Sequence, residues 1–182
     1  VMVPSPLSRA AVLAIRQESL YHEARVLILI CQFADPGHAF RGLTKLAKVD
    51  FLLRYPVMAE RLLPAGTPWP GTAPTSDERR AVETRMIRYK YGPWDDRYYP
   101  ILGALVGKRL ATFASVDGAT EITPTDAGRE LSGQLEATLP WTVVAERARF
   151  LRQHFDLPGR DLKDLIYERL PDVVALPLRS EI

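Results

Sequence analysis

No apolar run in the chain is longer than the six residues Val26 to Cys31, and Leu20, Ala24, Leu27 and Cys31 lead into and through it at helical spacing. The pattern predicts a central buried helix over 23–34, ended by Asp35-Pro36-Gly37. Leu46, Val49 and Leu53 mark one side of a second helix over 43–53, flanked by Ala47 and Phe51. Tyr55-Pro56 closes it, because a residue before proline avoids helical geometry. A turn or two follows over 57–63. Residues 64–76, PAGTPWPGTAPTS, hold four prolines and two glycines in thirteen residues, so this stretch reads as a loop. Trp69 within it either folds back over the protein's own surface or anchors a partner.

Beyond the loop the period changes. Residues 85–91 alternate apolar or aromatic with basic residues, the two-residue repeat of a strand with its tyrosines buried. Gly92-Pro93 is read as a turn. Asp95 or Asp96 offers a cap to a helix running to about Arg109. Pro100 is tolerated only in its first turn, which moves the start toward Tyr99. Ile101, Leu102, Leu105 and Val106 form its apolar stripe, with Gly103 and Gly107 open to a close neighbour. Two strand-like stretches, 110–116 and 119–123, flank Asp117-Gly118, the strongest short hairpin signal in the chain. Thr123-Pro124-Thr125-Asp126 then predicts a helix start with Thr123 as cap and Pro124 at the first position. That helix carries Ala127, Leu131 and Leu135 on one side and ends near Thr138. Two further helices are predicted over 141–155 and 161–170, the second stopped by Pro171. The tail from Asp172 shows no period.

The chain of 182 residues is 47% hydrophobic and 25% charged, with a net charge of +2. This is globular composition with no global field toward nucleic acid or anionic lipid. The single cysteine, Cys31, excludes a disulfide framework, and a reducing compartment fits. Six apolar residues in a row fall far short of the roughly 20 that cross a bilayer. The N-terminal stretch lacks the charged region of a signal peptide, so a soluble cytoplasmic protein is expected.

The candidate chemistry is thin. His22, His38 and His154 share no metal-ligand spacing. Cys31 in its apolar helix reads as an inert core thiol. Asp95 and Asp96 either cap a helix or bind a cation with Glu121, and capping is the reading that needs fewer converging acids. The glycines at 103, 107 and 118 lack the Gly-Lys-Ser/Thr ending of a phosphate loop. The expectation is a protein that is not an enzyme, with no cofactor, no metal and no small-molecule substrate.

The order helix, helix, strand, helix, hairpin, helix, with "GKRL" leading into the hairpin and "ITPTDAGREL" after it, resembles a winged-helix domain over residues 20–138. The fold expected is therefore mostly α with a small β-hairpin: a winged-helix-like domain over 1–140 and a C-terminal helical extension over 141–182. Three stretches together carry a narrower resemblance. They are "GLTKLAKVDFLLRYP" at 42–56, "RMIRYKYGPWDDRYYPILGALVGKRL" at 85–110 and "LPGRDLKDLIYERLPDV" at 157–173. They are similar to the middle component of bacterial ABC-three-component, or Lamassu-type, antiphage systems. The resemblance implies an accessory subunit working with an SMC-like ATPase and an effector subunit.

Two basic features give the expected binding residues. Arg41, Lys45 and Lys48 recur at i, i+4 and i+7 on one face. Arg85, Arg88 and Lys90 interleave with tyrosines near Trp94, and the Lys108-Arg109 pair follows the glycine-bearing helix. Cations on one surface bind phosphate, and aromatics beside them stack or fill a partner's pocket. The same stripes also suit a solvated helix face. A sequence-specific DNA-binding regulator is the alternative function, but residues 111–123 hold no lysine or arginine, whereas a DNA-reading wing carries a cation near its tip. A metal-dependent nuclease built on Asp95 and Asp96 is the remote third.

Overall fold

The computed structural model describes residues 18–34, 37–69, 86–89 and 92–182. The chain is mostly helical with a small antiparallel sheet. Helix α1 (Ser19–Phe33) is its axle: every residue from Arg25 to Ile30 is buried, and α1 touches five other elements. Its apolar side is nearly the whole circumference. Leu20 is the exception at 67% exposed, and of the stripe that announced the helix only Leu27 is fully buried, Ala24 and Cys31 being half-buried. The deeper faces carry Tyr21, His22 and Arg25 with the aliphatics, and this mixture hid them from a search for apolar period.

After α1 come strand β1 (Phe40–Arg41) and helix α2 (Leu43–Arg54), whose residues from Leu46 to Arg54 are all buried. Tyr55 breaks the helix and Pro56 opens α3 (Pro56–Leu62), where its missing N–H costs nothing. Trp69 folds back and stacks on Phe150, ring centroids 4.7 Å apart. Residues 70–76 of the proline-rich stretch, and Arg85, Lys90 and Tyr91 of the alternating one, lie outside the described residues.

Strand β2 (Ile87–Tyr89) pairs antiparallel with β3 (Gly92–Trp94), so Gly92-Pro93 is strand, and the reversal precedes it. On its other side β2 receives the C-terminal tail: Arg88 N–H donates to Ser180 O, Arg179 N–H to Arg88 O, and Ile182 N–H to Met86 O. The tail has no period because it is held by backbone groups. Helix α4 (Tyr98–Gly107) follows with Pro100 in its first turn. It buries Tyr98, Ile101, Leu102 and Leu105. Val106 is 40% exposed, and space beside Gly103 and Gly107 is open, so no neighbour approaches there.

The hairpin of β4 (Ala111–Val116) and β5 (Ala119–Pro124) turns on Asp117 and Gly118, both at positive φ as its two-residue loop demands. β1 pairs with the outer side of β5, giving the order β1-β5-β4. Helix α5 (Asp126–Glu136) is capped by Thr125, not Thr123. The Thr125 hydroxyl accepts from Gly128 N–H at 3.0 Å and donates to Arg109 O, while Pro124 ends β5 opposite Ala111. The buried side of α5 is Gly128 and Ser132 flanked by Leu131 and Leu135, and Ala127 faces solvent. Helix α6 (Trp141–Phe155) packs on α1 and α2, α7 (Gly159–Arg169) packs on α2 and α3, and Pro171 starts a short α8 (Pro171–Val174) instead of simply ending α7. One hydrophobic cluster runs through all of this, joining Val26 and Leu52 to Leu151 and Ile166. Among the described residues no helix is long and apolar enough to cross a membrane.

Gly128 is where the hairpin and α5 come closest. A Cβ there would lie 1.9 Å from Leu110 O, a rigid backbone atom. Gly128→Ala is expected to destabilise the fold by about 3 kcal/mol, read as a lowered thermal midpoint. A melt unchanged from wild type would show that α5 docks elsewhere.

Candidate functional site

Charged residues in α1 and α2 are built into the core. Asp50, fully buried on α2, accepts from Arg25 Nε at 2.8 Å, from a second Arg25 nitrogen at 3.1 Å and from the Tyr98 hydroxyl at 2.7 Å. Arg54, one turn further along α2, lies 3.8 Å from Asp50 and 2.9 Å from Asp95. Asp95 also accepts from the Arg97 side chain at 2.6 Å and from the Arg97 backbone N–H at 3.0 Å. Asp95 is thus not the helix cap expected of it: the N-cap of α4 is Arg97, with no side-chain cap, and Asp95 is held in an ion network just before the helix. Burial alone would raise both carboxyls, but the arginines beside them hold both well below the usual carboxylate range. The Tyr98 phenol moves up, chiefly through burial and then through the Asp50 charge.

His22 closes the network. Its Nδ1 is 2.6 Å from Arg25 and its Nε2 2.7 Å from Arg97. A neutral imidazole has one acceptor nitrogen, so its tautomer decides which arginine it serves. A protonated ring would set two donors against two guanidinium groups. Burial, then Arg25, Arg97 and Arg54, push its pKa down to about 3, with Asp95 opposing. Three guanidiniums thus face two carboxylates and a neutral ring, and the surplus charge reaches water through Arg97, 36% exposed.

The expected binding residues do not converge. Arg41 belongs to β1, not to the α2 face, and straps the hairpin: it lies 3.7 Å from Glu121 and 3.9 Å from Asp117. Lys45 pairs with Asp156 at the end of α6, 2.5 Å away. Lys48 is buried, 2% exposed, and donates to Thr44 O at 3.1 Å. The solvated stripe expected of these three is absent, because each turns to a different neighbour. Arg88 donates to Val174 O at 3.0 Å. Lys108 pairs with Glu23, and Arg109 is exposed with φ 59° at the exit into β4. Arg85 and Lys90 lie outside the described residues.

Two of the expected residues do meet. Lys48 and Trp94 line one cavity of about 450 Å³ between α2, β3 and the start of α4, together with Thr44, Asp96, Tyr99 and Arg179. Trp94 Nε1–H donates to Asp96 at 3.1 Å, so Asp96 serves the indole and Glu121 is engaged with Arg41. Among the described residues no three His, Cys, Asp or Glu side chains are grouped to hold a metal. Cys31 is half-buried against Gly128 O, and burial pushes its thiol up to about 11. Thr44, Tyr99 and Arg179 were missed because nothing in their spacing links them. A lysine and an aspartate within the apolar run LAKVDFLL are the one sequence signal of charges held inside.

The outer surface is different in kind. Beyond Ala111 every residue of β4 is exposed, including Phe113 at 47% and Val116 at 38%, and no described strand covers its free edge. The solvent side of α4 presents Tyr99, Gly103, Val106 and Gly107, without a charged side chain. Comparison with known proteins gave no matching family model, no matching curated protein and no matching solved structure.

Two expectations follow. Asp50→Ala strands Arg25 and Arg54 in the core and should cost about 3–5 kcal/mol in denaturant unfolding; a loss under about 1 kcal/mol would mean the network carries no weight. His22 binds its proton far less readily folded than unfolded, so its contribution is complete above about pH 6.5 and is lost as pH falls toward 3. The loss of stability should steepen from pH 6.5 downward and approach about 1.4 kcal/mol per pH unit near pH 5, above the range in which Asp50 and Asp95 matter. His22→Gln should flatten that slope, and an equally steep profile in the variant would refute the assignment.

Proposed function

We propose that this chain is a non-catalytic, cytoplasmic subunit of winged-helix architecture that joins protein partners, of the kind found as the middle component of ABC-three-component antiphage systems. Its partners in that reading are an SMC-like ATPase and an effector. The element order supports it: α1, β1, α2, α4 and the β4–β5 hairpin, with sheet order β1-β5-β4, is the arrangement in which a wing stands beside a helical core. The three stretches at 42–56, 85–110 and 157–173 supply the resemblance to the family.

The observation that carries the reading is that the exposed faces of α4 and β4 carry no charged side chain. A DNA-reading winged helix offers cations and hydrogen-bonding side chains to phosphates and base edges from the helix before the wing and from the wing itself. Here that helix presents Tyr99, Gly103 and Val106, and the wing presents Phe113 and Val116. Arg41 and Lys108 near the wing are half-exposed and paired with Glu121 and Glu23, and Arg109 stands exposed at the exit into β4. Aromatic and aliphatic side chains on an exposed strand suit a protein partner, with the free backbone edge of β4 available to pair. We assign this surface to the ATPase.

Capture of the chain from its native host should retain a long coiled-coil ATPase through gel filtration. Phe113→Asp combined with Val116→Asp should release that ATPase while the thermal melt stays within about 1 kcal/mol of wild type. Elution of the chain alone, or retention of the ATPase by the double variant, would count against the reading. So would a gel shift showing sequence-selective DNA binding at about 10 nM or tighter.

A further inference from the structure

We propose that the cavity between α2, β3 and α4 is a binding site for a small aromatic phosphate with the size and chemistry of a mononucleotide. The inference shares only Tyr99 with the proposed docking surface and rests on a buried ammonium that no described carboxylate pairs. Lys48 is 98% withdrawn from solvent, its residue being 2% exposed. Helical side chains lean toward the N-terminus, and its ammonium reaches back one turn to donate to Thr44 O at 3.1 Å. That is its one hydrogen bond among the described residues, and no described carboxylate lies within ion-pair distance of it. Two further ammonium donors therefore remain.

Most of the surroundings add to that charge, Asp96 being the carboxylate on the cavity wall. The first turn of α2 begins at Leu43 and Thr44, both on the cavity wall, and no side chain caps it, so its free N–H groups and helix dipole present a positive end. Lys163 of α7 acts on Lys48 across the helix packing, and with burial holds its pKa down at about 8. Arg179, an exposed residue of the tail, lines the same cavity. A buried ammonium beside an uncapped helix start is the combination that binds phosphate elsewhere in proteins. An anion seated there would accept from Lys48, from the backbone N–H groups and from the Thr44 hydroxyl.

The rest of the wall selects what the anion is attached to. Trp94 and Tyr99 line the cavity with centroids 6.1 Å apart, and Tyr99 is 62% exposed, an aromatic face with no internal cover. Such faces stack on flat rings. Asp96, held by the Trp94 indole, is an acceptor for hydroxyl or amino donors. A volume of about 450 Å³ falls among small-ligand sites and exceeds what inorganic phosphate needs.

The test uses the full chain with AMP as probe, with ribose 5-phosphate and inorganic phosphate beside it, by titration calorimetry and thermal shift. AMP should bind with a dissociation constant of about 1 mM or tighter and raise the melting midpoint. Ribose 5-phosphate should bind at least about tenfold more weakly. Lys48→Met should weaken AMP at least about tenfold while leaving the free protein as stable as wild type or more so, since an apolar side chain replaces a buried charge that lacks a carboxylate. Tyr99→Ala, at an exposed position where folding is not at stake, should also weaken AMP. No heat and no shift at about 10 mM AMP would overturn the proposal. So would undiminished AMP binding by either variant, or sugar phosphate binding as tightly as AMP.

Discussion

Asp50 is the fixed point of this molecule. One buried carboxylate accepts from Arg25 on α1 and from Tyr98 on α4, and lies beside Arg54 on its own helix. Those contacts tie together the three helices that define the core. Buried charges are stable only in complete sets, so the angle between α1 and α2 and the start of α4 are set together. Apolar packing around Leu52, Ile30 and Leu105 fills space without demanding a particular rotation. The network demands one. Arg54 and Arg97 then extend the same constraint through Asp95 to the segment that leads from β3 into α4, and that segment supplies the aromatic wall of the cavity.

Polar residues thus divide into two populations with different work. Those inside are spent on position: Arg25, Arg54, Asp50, Asp95 and His22 lose their contact with water and specify how elements meet. Those outside are mostly joined in pairs between elements, such as Arg61 with Asp172 and Lys45 with Asp156. Exposed pairs of this type contribute little to stability, but they remove cations from the surface. Lys48 belongs to neither population. It is inside, charged and without a carboxylate, in the middle of its helix with its ammonium on the carbonyl of Thr44.

Much of the fold was legible in the sequence because local physics wrote it. Asp117-Gly118 fixes the hairpin through backbone geometry alone, and the helices over 43–53 and 141–155 follow from their apolar period and from Pro56. Register within elements was harder. Thr123 and Thr125 both satisfy a cap pattern, and only the pairing of Pro124 with Ala111 decides between them. Leu20 fits an apolar stripe that the packing of α1 leaves outside. The site was less legible still. Lys48 and Trp94 were marked for their chemistry, yet Arg179 reaches them only because the tail hydrogen-bonds along β2, a long-range backbone contact that no side-chain pattern encodes. The basic stripes failed as a guide because charge spacing does not say whether an acid from another element waits opposite.

The hairpin has one more consequence. Its tip is two residues long, both locked in the left-handed region, and Arg41 of β1 reaches Glu121 and Asp117 at that end. A loop so short has almost no conformational freedom to surrender on contact. Phe113 and Val116 are therefore held in fixed positions before any contact is made. In the role proposed above, rigid presentation of this kind would chiefly lengthen the lifetime of a complex instead of hastening its formation.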